Sequence, residues 1–325
     1  MKKVGILSVG AYLPKKVLTN ADLEKMVETS DDWITSRTGI KERRIAAKHE
    51  RTSHLAIHAA QEALKKAKLP AAKLELIIVG TISPDSHFPS VACLVQKALG
   101  AKHAAAFDVS AACSGFLYSL ITAKQYVQGG MYKNALVIAA EKITNLIDWS
   151  DRGTCVLFGD GAGACVVGPV KGKRGILSEY ILGLGEYSDL MQVIIEDREP
   201  LNQGSRTMPL PYVKMEGQEL FKIAVNSMAD AVKHAVRKAG LKLTDIDCVV
   251  PHQANDRIIS AVAKKLKIPK EKIFVNIDRY GNMSAASIVV ALYEAVEQKK
   301  IKRGSVVALV TFGAGLCSAA NIVRW

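Results

Sequence analysis

The chain has 325 residues, of which 49% are hydrophobic, so it is long enough for one large or two medium-sized domains with substantial cores. No apolar run is long enough to span a bilayer and no segment has the composition of a disordered tail, so we expect no membrane association. The net charge of +13 favours an acidic or phosphorylated partner. Aromatic residues make up only 6% and no nucleic-acid-binding motif is present, which argues against a nucleic-acid partner.

Cysteines are spread over the chain without a Cys-x-x-Cys pair, at positions 93, 113, 155, 165, 248 and 317. Four of these six lie in apolar, strand-like segments. This usage predicts reduced thiols and a cytoplasmic location rather than a disulfide framework. The N-terminal segment superficially resembles a signal peptide, but its apolar part is brief and ends before Pro14, which favours a first core strand.

Apolar spacing and turn residues predict the order of elements in the first part of the chain. In that order we expect a strand over residues 4–11, a helix over 21–27 capped by Thr19 or Asn20, a polar loop over 30–40, a helix over 52–68, a strand over 74–79 and a loop over 81–89.

Three pairs of similar segments then occur in the same order along the chain. They pair residues 59–79 with 231–250, 107–120 with 273–297, and 158–163 with 312–315. The first two pairs each combine a helix and a buried strand, and the second pair includes a strand over 273–277. This pattern predicts a duplicated α/β unit with a boundary near the Gly-, Pro- and Lys-rich residues 168–175, and therefore two halves, 1–172 and 173–325.

Cys113 lies where a short apolar run, residues 105–109, turns into a segment with helical spacing. Unpaired N–H groups and the positive end of a helix dipole favour the thiolate, so Cys113 is a candidate nucleophile. The alternative interpretation is a buried cysteine that only packs.

His252 and Asn282 lie on turns of the second half. His252 follows a buried strand that ends at Val250, and strand ends are where α/β sheets place ligands. If the halves are related by a pseudo-twofold axis, these turns face Cys113 across one cleft. A neutral imidazole and an amide that converge on one oxygen would stabilise an enolate. Each residue alone is also compatible with a structural histidine and an ordinary Gly-Asn turn.

Other motifs are weaker. His49, His54 and His58 include an i, i+4 pair, but no further ligands complete a shell, so we expect no metal site. The Gly-rich residues 158–163 look like a dinucleotide loop but are followed by a strand, which favours close backbone packing. Residues 312–315 suit either an oxyanion hole or a tight turn.

The motifs around Cys113 (residues 108–116), His252 (252–255) and Asn282 (281–287), together with residues 32–40, resemble the signatures of β-ketoacyl-[acyl-carrier-protein] synthase III. The resemblance covers essentially the whole chain. It implies an α/β thiolase-like fold with duplicated halves in a layered α-β-α-β-α arrangement, working as a homodimer. It also implies the initiating condensation of type II fatty-acid synthesis, with no cofactor besides the substrates acyl-CoA and malonyl-acyl carrier protein.

Carried over by position, the resemblance implies that Cys113 takes the acyl group, and that His252 and Asn282 hold the thioester oxygen of malonyl-acyl carrier protein during decarboxylation. The carbanion would then attack the acyl thioester and release a 3-oxoacyl product. For the substrates, the resemblance implies contacts to the CoA nucleotide by Trp33, Arg37 and Arg152, and to pantetheine by Gly217, Phe221, Lys222, Ala224 and Asn255. It implies that Phe88 reaches the partner subunit's acyl pocket, and that the N–H groups of Cys113, Gly313, Ala314 and Gly315 bind the oxyanion. The acidic acyl carrier protein would contact Arg257, Lys264, Lys265 and Lys222.

Several alternatives remain. Related starter-unit enzymes or acyltransferases of polyketide and quinolone synthesis use the same Cys, His and Asn. Elongating synthases use two histidines, against which Asn282 argues. A degradative thiolase needs a second Cys in a Cys-x-Gly motif, and Cys317 is followed by Ser318-Ala319. A Cys-His-Asn hydrolase and a non-catalytic basic binding protein represent other classes.

Two positions depart from the family pattern, Gln218 where Asn is common and Met283 where Thr is frequent. The primer is left open by the sequence. The depth of the acyl pocket depends on loops 83–90 and 186–212, including a long connection over residues 187–210.

Overall fold

The computed structural model describes residues 2–193 and 212–325. The strands are β1 (Val4–Tyr12), β2 (Lys16–Thr19), β3 (Glu42–Ile45), β4 (Leu76–Gly80), β5 (Ala105–Val109), β6 (Ala135–Glu141), β7 (Gly161–Pro169), β8 (Gly175–Gly183), β9 (Met191–Val193), β10 (Val213–Met215), β11 (Cys248–Pro251), β12 (Val306–Gly313) and β13 (Cys317–Arg324). The α-helices are α1 (Asn20–Leu23), α2 (Asp31–Thr38), α3 (Thr52–Ala67), α4 (Val91–Leu99), α5 (Gly115–Gln128), α6 (Arg152–Cys155), α7 (Gly217–Lys238), α8 (Asp256–Leu266), α9 (Ile277–Tyr280) and α10 (Ala286–Glu297). Short 3₁₀ helices cover Ala71–Lys73, Ala112–Ser114, Ile143–Leu146, Gly185–Leu190, Leu243–Asp245 and Lys270–Lys272.

The first sheet consists only of strands from the first half of the chain, in the order β1-β7-β6-β4-β5. β4 runs parallel to β5 and β6, whereas β7 is antiparallel to β6 and β1. β4 is a continuous apolar run and β6 is apolar up to its last residue, Glu141, and both are buried along their whole length, as expected for strands covered on both faces.

The second sheet repeats this order as β8-β13-β12-β11. β11 is parallel to β12, and β13 is antiparallel to both of its neighbours. The strand that the sequence predicts over residues 273–277 does not form. A single parallel bridge between Val249 and Ile273 takes the place that β5 has in the first sheet. The reason is that the Asn276 N–H donates to the side chain of Gln253, and the chain then turns into α9.

The two sheets and their helices form five layers. α3 and α4 cover the outer face of the first sheet, α5 and α10 lie between the sheets, and α7 and α8 cover the outer face of the second. Alternation along β4 shows how the layers form, because Leu76 and Ile78 face the central core while Ile77 and Val79 face the outer core. The predicted α/β fold with duplicated halves in an α-β-α-β-α arrangement is confirmed.

Residues 30–40 differ from the predicted loop, because they contain α2. The Ser30 hydroxyl accepts a hydrogen bond from the Trp33 N–H, Asp31 and Asp32 lie in the first turn, and Gly39 ends the helix at a φ of 79°. The predicted helix over 21–27 is shorter than expected. It is α1, capped by Thr19, and it ends at Leu23.

The long connection after β8 is partly structured, since it contains a 3₁₀ helix and the antiparallel pair of β9 and β10. Residues 194–211, and with them most of the loop predicted to shape the acyl pocket, lie outside the described part. None of the sheets in residues 2–193 and 212–325 combines strands from both sides of residues 170–174, and we propose the halves 1–172 and 173–325 as the two domains. No described helix is long and apolar enough to cross a membrane.

Candidate active site

Cys113 lies in a compact turn between β5 and α5. Ala112 has a φ of 43°, a left-handed conformation that costs a non-glycine residue roughly 1 kcal/mol or more. The turn packs closely on β4, because a β-carbon on Gly80 would lie 2.6 Å from the Gly115 carbonyl carbon. The structure therefore places the thiol just before a buried helix, and its side chain is itself buried, with the residue 4% exposed.

The end of β12 packs directly on this turn. A β-carbon on Gly313 would lie 2.8 Å from the Cys113 amide nitrogen. The Thr311 hydroxyl donates to the Ser114 hydroxyl at 3.1 Å, and Ser114 donates to the Cys317 carbonyl at 3.3 Å. The predicted neighbourhood of Cys113 and the 313–315 turn is thus present in the structure.

His252 follows β11 beside the same strand, since its N–H donates to the Val310 carbonyl at 2.8 Å. The residue is 3% exposed, and neither ring nitrogen has a hydrogen-bond partner among the described residues. Burial lowers the pKa of His252 from 6.5 to about 3, so the imidazole is neutral. A buried ring with free nitrogens is suited to bind an oxygen of a ligand.

Asn282 is fixed through its backbone by the first half of the chain. Its N–H donates to the Leu157 carbonyl at 2.8 Å, and its carbonyl accepts from the Gly159 N–H at 3.1 Å. Its side-chain oxygen accepts from the Ser284 N–H at 2.8 Å. The turn is strained in the same way as the Cys113 turn, because Ser284 has a φ of 48°.

The predicted thiolate is not supported for the free protein. Burial raises the pKa of the Cys113 thiol from 9 to about 12, although the Ser284 side chain opposes the shift. The start of α5 favours the thiolate, but the loss of water around the buried sulfur outweighs this effect. Cys113 is therefore a thiol at neutral pH.

Glu141, which the sequence analysis did not single out, is a fully buried carboxyl group at the end of β6. Burial raises its pKa to about 7, while hydrogen bonds from Ser83, Ile82 and Thr81 oppose the shift. The Ser83 hydroxyl donates to it at 2.5 Å, and the Thr81 hydroxyl donates at 3.0 Å. A charged residue at the end of an otherwise apolar strand was the signal available in the sequence.

Three residues that the sequence assigned to a CoA nucleotide lie together on the surface. The guanidinium carbons of Arg37 and Arg152 each lie 4.9 Å from the centroid of the Trp33 ring. Asn255 connects this cluster to α8, because its side chain accepts from the Arg257 N–H and donates to the Arg37 carbonyl.

The residues assigned to the pantetheine channel and the carrier-protein patch lie on α7 and α8, which pack against each other. Their exposure separates them into two sets: Ala224 is buried in the outer core and Phe221 is half-buried, whereas Gly217, Lys222, Arg257, Lys264 and Lys265 are exposed. The Lys265 ammonium donates to the side chain of Asn226 on α7. The exposed cations therefore form a basic patch, which we define as Lys222, Arg257, Lys264 and Lys265.

The remaining motifs have structural explanations. A β-carbon on Gly159 would lie 2.5 Å from the Tyr280 carbonyl oxygen, and one on Gly163 would lie 2.4 Å from Val289, so residues 158–163 serve close packing as predicted. The predicted similarity between residues 158–163 and 312–315 does not place the two segments at equivalent points of a strand. Residues 158–160 precede β7, whereas Phe312 and Gly313 end β12.

Two of the three histidines considered for metal binding are engaged otherwise. His54 Nδ1 accepts from the Arg51 N–H, and His58 stacks on Tyr12. The cysteines are all unpaired thiols, in agreement with the prediction.

The geometry thus brings three segments together. His252 is hydrogen-bonded to Val310, three residues before Gly313, which contacts Cys113. Asn282 precedes Ala285 on the same turn, and a β-carbon on Gly115, two residues after Cys113, would lie 3.4 Å from the Ala285 β-carbon. The result is a buried group of polar side chains, with Cys113, His252 and Asn282 each 6% exposed or less.

Comparison with known proteins agrees with this arrangement. A family model described as 3-Oxoacyl-[acyl-carrier-protein (ACP)] synthase III matches residues 107–183, and its C-terminal counterpart matches residues 236–325. The chain is 51% identical over 322 residues to the β-ketoacyl-[acyl-carrier-protein] synthase III of Caldanaerobacter subterraneus subsp. tengcongensis, covering 99% of this chain and 97% of the relative.

Solved structures give the same result. The 3-oxoacyl-[acyl-carrier-protein] synthase III of Aquifex aeolicus VF5 matches with a TM-score of 0.93 at 50% identity, covering 99% of this chain and 100% of that one. A priming β-ketosynthase from a polyketide biosynthetic pathway matches with a TM-score of 0.92 at 32% identity, covering 99% and 96%. The chain therefore belongs to the β-ketoacyl-[acyl-carrier-protein] synthase III family of condensing acyltransferases.

Proposed function

We propose that Cys113, His252 and Asn282 carry out the decarboxylating condensation of this family on an acyl-CoA primer and malonyl-acyl carrier protein. The observation that carries the assignment is the pairing of a buried thiol with a neutral, unpartnered imidazole on adjoining turns. Neutral donors stabilise a developing enolate without holding the ground-state carboxylate in place.

In the first half-reaction, the Cys113 sulfur forms a bond to the acyl carbon while the carbon–sulfur bond to CoA breaks. The thiol proton leaves during the attack and ends on the departing CoA sulfur, which agrees with the raised pKa of Cys113. We assign the oxyanion to the N–H groups of Cys113 and of residues 313–315, and the contact of Gly313 with the Cys113 backbone supports this assignment.

In the second half-reaction, the malonyl group loses CO₂ and the electron pair passes into an enolate whose oxygen is held by His252 and Asn282. The enolate carbon then attacks the acyl-Cys113 carbonyl and expels the Cys113 sulfur. The product is a 3-oxoacyl thioester on the carrier protein, and the thiolate takes up a proton. These steps need no cofactor besides the two substrates.

Substrate delivery is assigned to residues on the surface. Trp33 with Arg37 and Arg152 offers an aromatic face and two cations for the CoA nucleotide. The basic patch on α7 and α8 offers complementary charge to the acidic acyl carrier protein, and Gly217, Phe221, Ala224 and Asn255 line the proposed pantetheine path. No nucleic acid or membrane is part of this scheme, and we assign the enzyme to the cytoplasm.

A homodimer is the proposed assembly. β5 lies at an edge of the first sheet, where its backbone pairs only with β4 among the described strands. Phe88, 86% exposed, is the residue assigned to the partner subunit's acyl pocket. An apolar groove of about 460 Å³, lined by Ile121, Tyr126 and Met131 among others, adjoins the same face, since Tyr126 contacts Phe107 of β5.

The assignment is tested by incubation with radiolabelled acetyl-CoA, followed by isolation of the labelled peptide. We expect label on Cys113, loss of label in Cys113→Ala, and retention of label in the control Cys317→Ala, which removes a neighbouring buried thiol. Absence of label from the wild-type protein with every acyl-CoA of a chain-length series would overturn the proposal and favour a non-catalytic binding protein.

The nature of the product decides between the remaining alternatives. Addition of malonyl-acyl carrier protein should yield the acetoacetyl thioester, whereas a Cys-His-Asn hydrolase would release free acetate. The similarity to a priming β-ketosynthase keeps a polyketide or quinolone starter role as the second candidate. A profile of acyl-CoA chain lengths distinguishes this role from fatty-acid initiation.

A further inference from the structure

Glu294, on α10, accepts an unusually complete set of hydrogen bonds, and its side chain is 12% exposed. Arg279 donates to both carboxylate oxygens, from Nη1 to Oε1 at 3.0 Å and from Nη2 to Oε2 at 2.7 Å. The Tyr280 hydroxyl donates to Oε1 at 2.6 Å, and Asn276 Nδ2 donates to Oε2 at 2.9 Å. Two donors on each oxygen hold the carboxylate in a single orientation.

One arm of this network leads to His252. The Asn276 N–H donates to Gln253 Oε1 at 3.0 Å, and Gln253 Nε2 donates to the Pro251 carbonyl at 2.8 Å. Asn276 Oδ1 accepts no hydrogen bond from any residue that the structure describes, so the bond from Nδ2 to Glu294 is what orients its side chain. The backbone on both sides of His252 is therefore connected to Glu294 through Asn276 and Gln253.

The other arm leads to Asn282. Arg279 and Tyr280 are the last residues of α9, and Gly281 separates them from Asn282. Gly281 has a φ of 63°, and a β-carbon there would lie 2.8 Å from the Leu157 carbonyl oxygen, so the turn has little freedom to shift. Glu294 holds α9 by three hydrogen bonds, and the orientation of α9 thus determines the position of Asn282.

We infer that Glu294 is a positioning residue for the decarboxylation step, because a single carboxylate fixes the spacing between the His252 and Asn282 segments. Two donors must converge on one enolate oxygen, and a displacement of about 1 Å between them weakens both hydrogen bonds. The Cys113 turn is held by β4 and β12 instead, so acyl transfer does not depend on Glu294. This inference rests on the proposed roles of His252 and Asn282.

The test compares the two half-reactions in Glu294→Gln, which keeps the shape of the side chain but replaces one acceptor oxygen by a donor. We expect malonyl decarboxylation to fall by about ten-fold or more, with acetyl transfer to Cys113 within roughly three-fold of the wild type. Asn276→Ala is the second variant, and it severs only the His252 arm while it leaves the Arg279–Glu294 pair in place. It should show the same selective loss.

Glu179→Gln is the matched control. It removes one charge of a similarly buried pair, Lys124 on α5 and Glu179 on β8 at 2.6 Å, and both residues lie outside α9 and α10. Equal loss of both half-reactions in Glu294→Gln, or the same change in Glu179→Gln, would overturn the inference. If His252→Ala and Asn282→Ala themselves leave decarboxylation intact, the proposed function fails rather than the role of Glu294.

Discussion

Gly313 lies directly against the backbone of Cys113, so close that any side chain at position 313 would meet the Cys113 amide nitrogen at 2.8 Å. The contact joins the end of β12 to the turn that carries the thiol, and with it the two halves of the molecule.

Gly313→Ala should impair both stability and acyl transfer. The added β-carbon would also lie 3.0 Å from the Ser114 amide nitrogen, and backbone on both sides leaves no flexible group to move away. We expect a loss of about 1–3 kcal/mol in the free energy of unfolding and slower labelling by acetyl-CoA. Gly183→Ala, at the end of β8 in the same sheet and with no atom within 4 Å of the added carbon, should leave both measurements unchanged.

Asn282→Ala should separate the two half-reactions. Removal of one of two oxyanion donors is expected to slow malonyl decarboxylation by about 10²–10³-fold, whereas labelling of Cys113 by acetyl-CoA continues. Release of CO₂ from labelled malonyl-acyl carrier protein measures the first activity, and protein-bound label measures the second. A variant that loses both activities equally would contradict the division of roles between Cys113 and Asn282.

Trp33→Ala should raise the KM for acyl-CoA roughly ten-fold, because the ring and the two guanidinium groups form one binding surface. Trp33→Phe retains an aromatic face and should lose much less. The KM for malonyl-acyl carrier protein, which has no nucleotide, is expected to remain near the wild-type value. An equal rise for both substrates would show that Trp33 acts through the fold of α2 instead.

Arg257→Glu should weaken carrier-protein binding and spare CoA. Reversal of one charge in the basic patch is expected to raise the KM for malonyl-acyl carrier protein by about ten-fold at low salt, with a smaller effect at high salt because ions screen exposed charges. Lys97→Glu makes the same change of charge on the exposed face of α4 and serves as the control. The docking assignment is refuted if Lys97→Glu has the same effect.

The pH dependence of stability should reflect Glu141. Burial raises its pKa from 4.5 to about 7, so between these values the folded chain holds a proton that the unfolded chain releases. Stability from this group is therefore lost as the pH rises towards 7. Glu141→Gln cannot ionise, and its unfolding midpoint should fall less than that of the wild type when the pH is raised from about 5 to 8. Parallel curves would contradict the raised pKa.

The titration of His252 changes the stability in the opposite direction, at lower pH. Its pKa is lowered from 6.5 to about 3 by burial, so the unfolded chain takes up a proton that the folded chain excludes, and stability is lost as the pH falls below 6.5. The imidazole stays neutral throughout the range in which Glu141 titrates. The pH profile of decarboxylation should therefore show no inflection near pH 6.5 that arises from His252. An inflection in the wild-type protein that is absent from a His252 variant would contradict the lowered pKa.

Much of the fold could be predicted from local patterns. Apolar runs such as β4 and β6, and the small residues after β5, indicate buried strands and a tight strand-to-helix turn without reference to distant parts of the chain. The order of these patterns also showed the duplication. Helix α2 was missed even though Ser30, Asp31 and Asp32 are typical of a helix start, because the polar composition of the segment was given more weight.

The sequence by itself determined which residues follow which strand, and therefore that Cys113, His252 and Asn282 lie on turns of two related halves. Only the tertiary structure decided that the thiol is protonated, that the imidazole is neutral and that Glu294 joins the segments of His252 and Asn282. The physical reason is the separation along the chain of the residues that take part in each kind of interaction. Turn and strand preferences arise from neighbours along the chain, whereas desolvation and hydrogen-bond networks are sums over residues that only packing brings together.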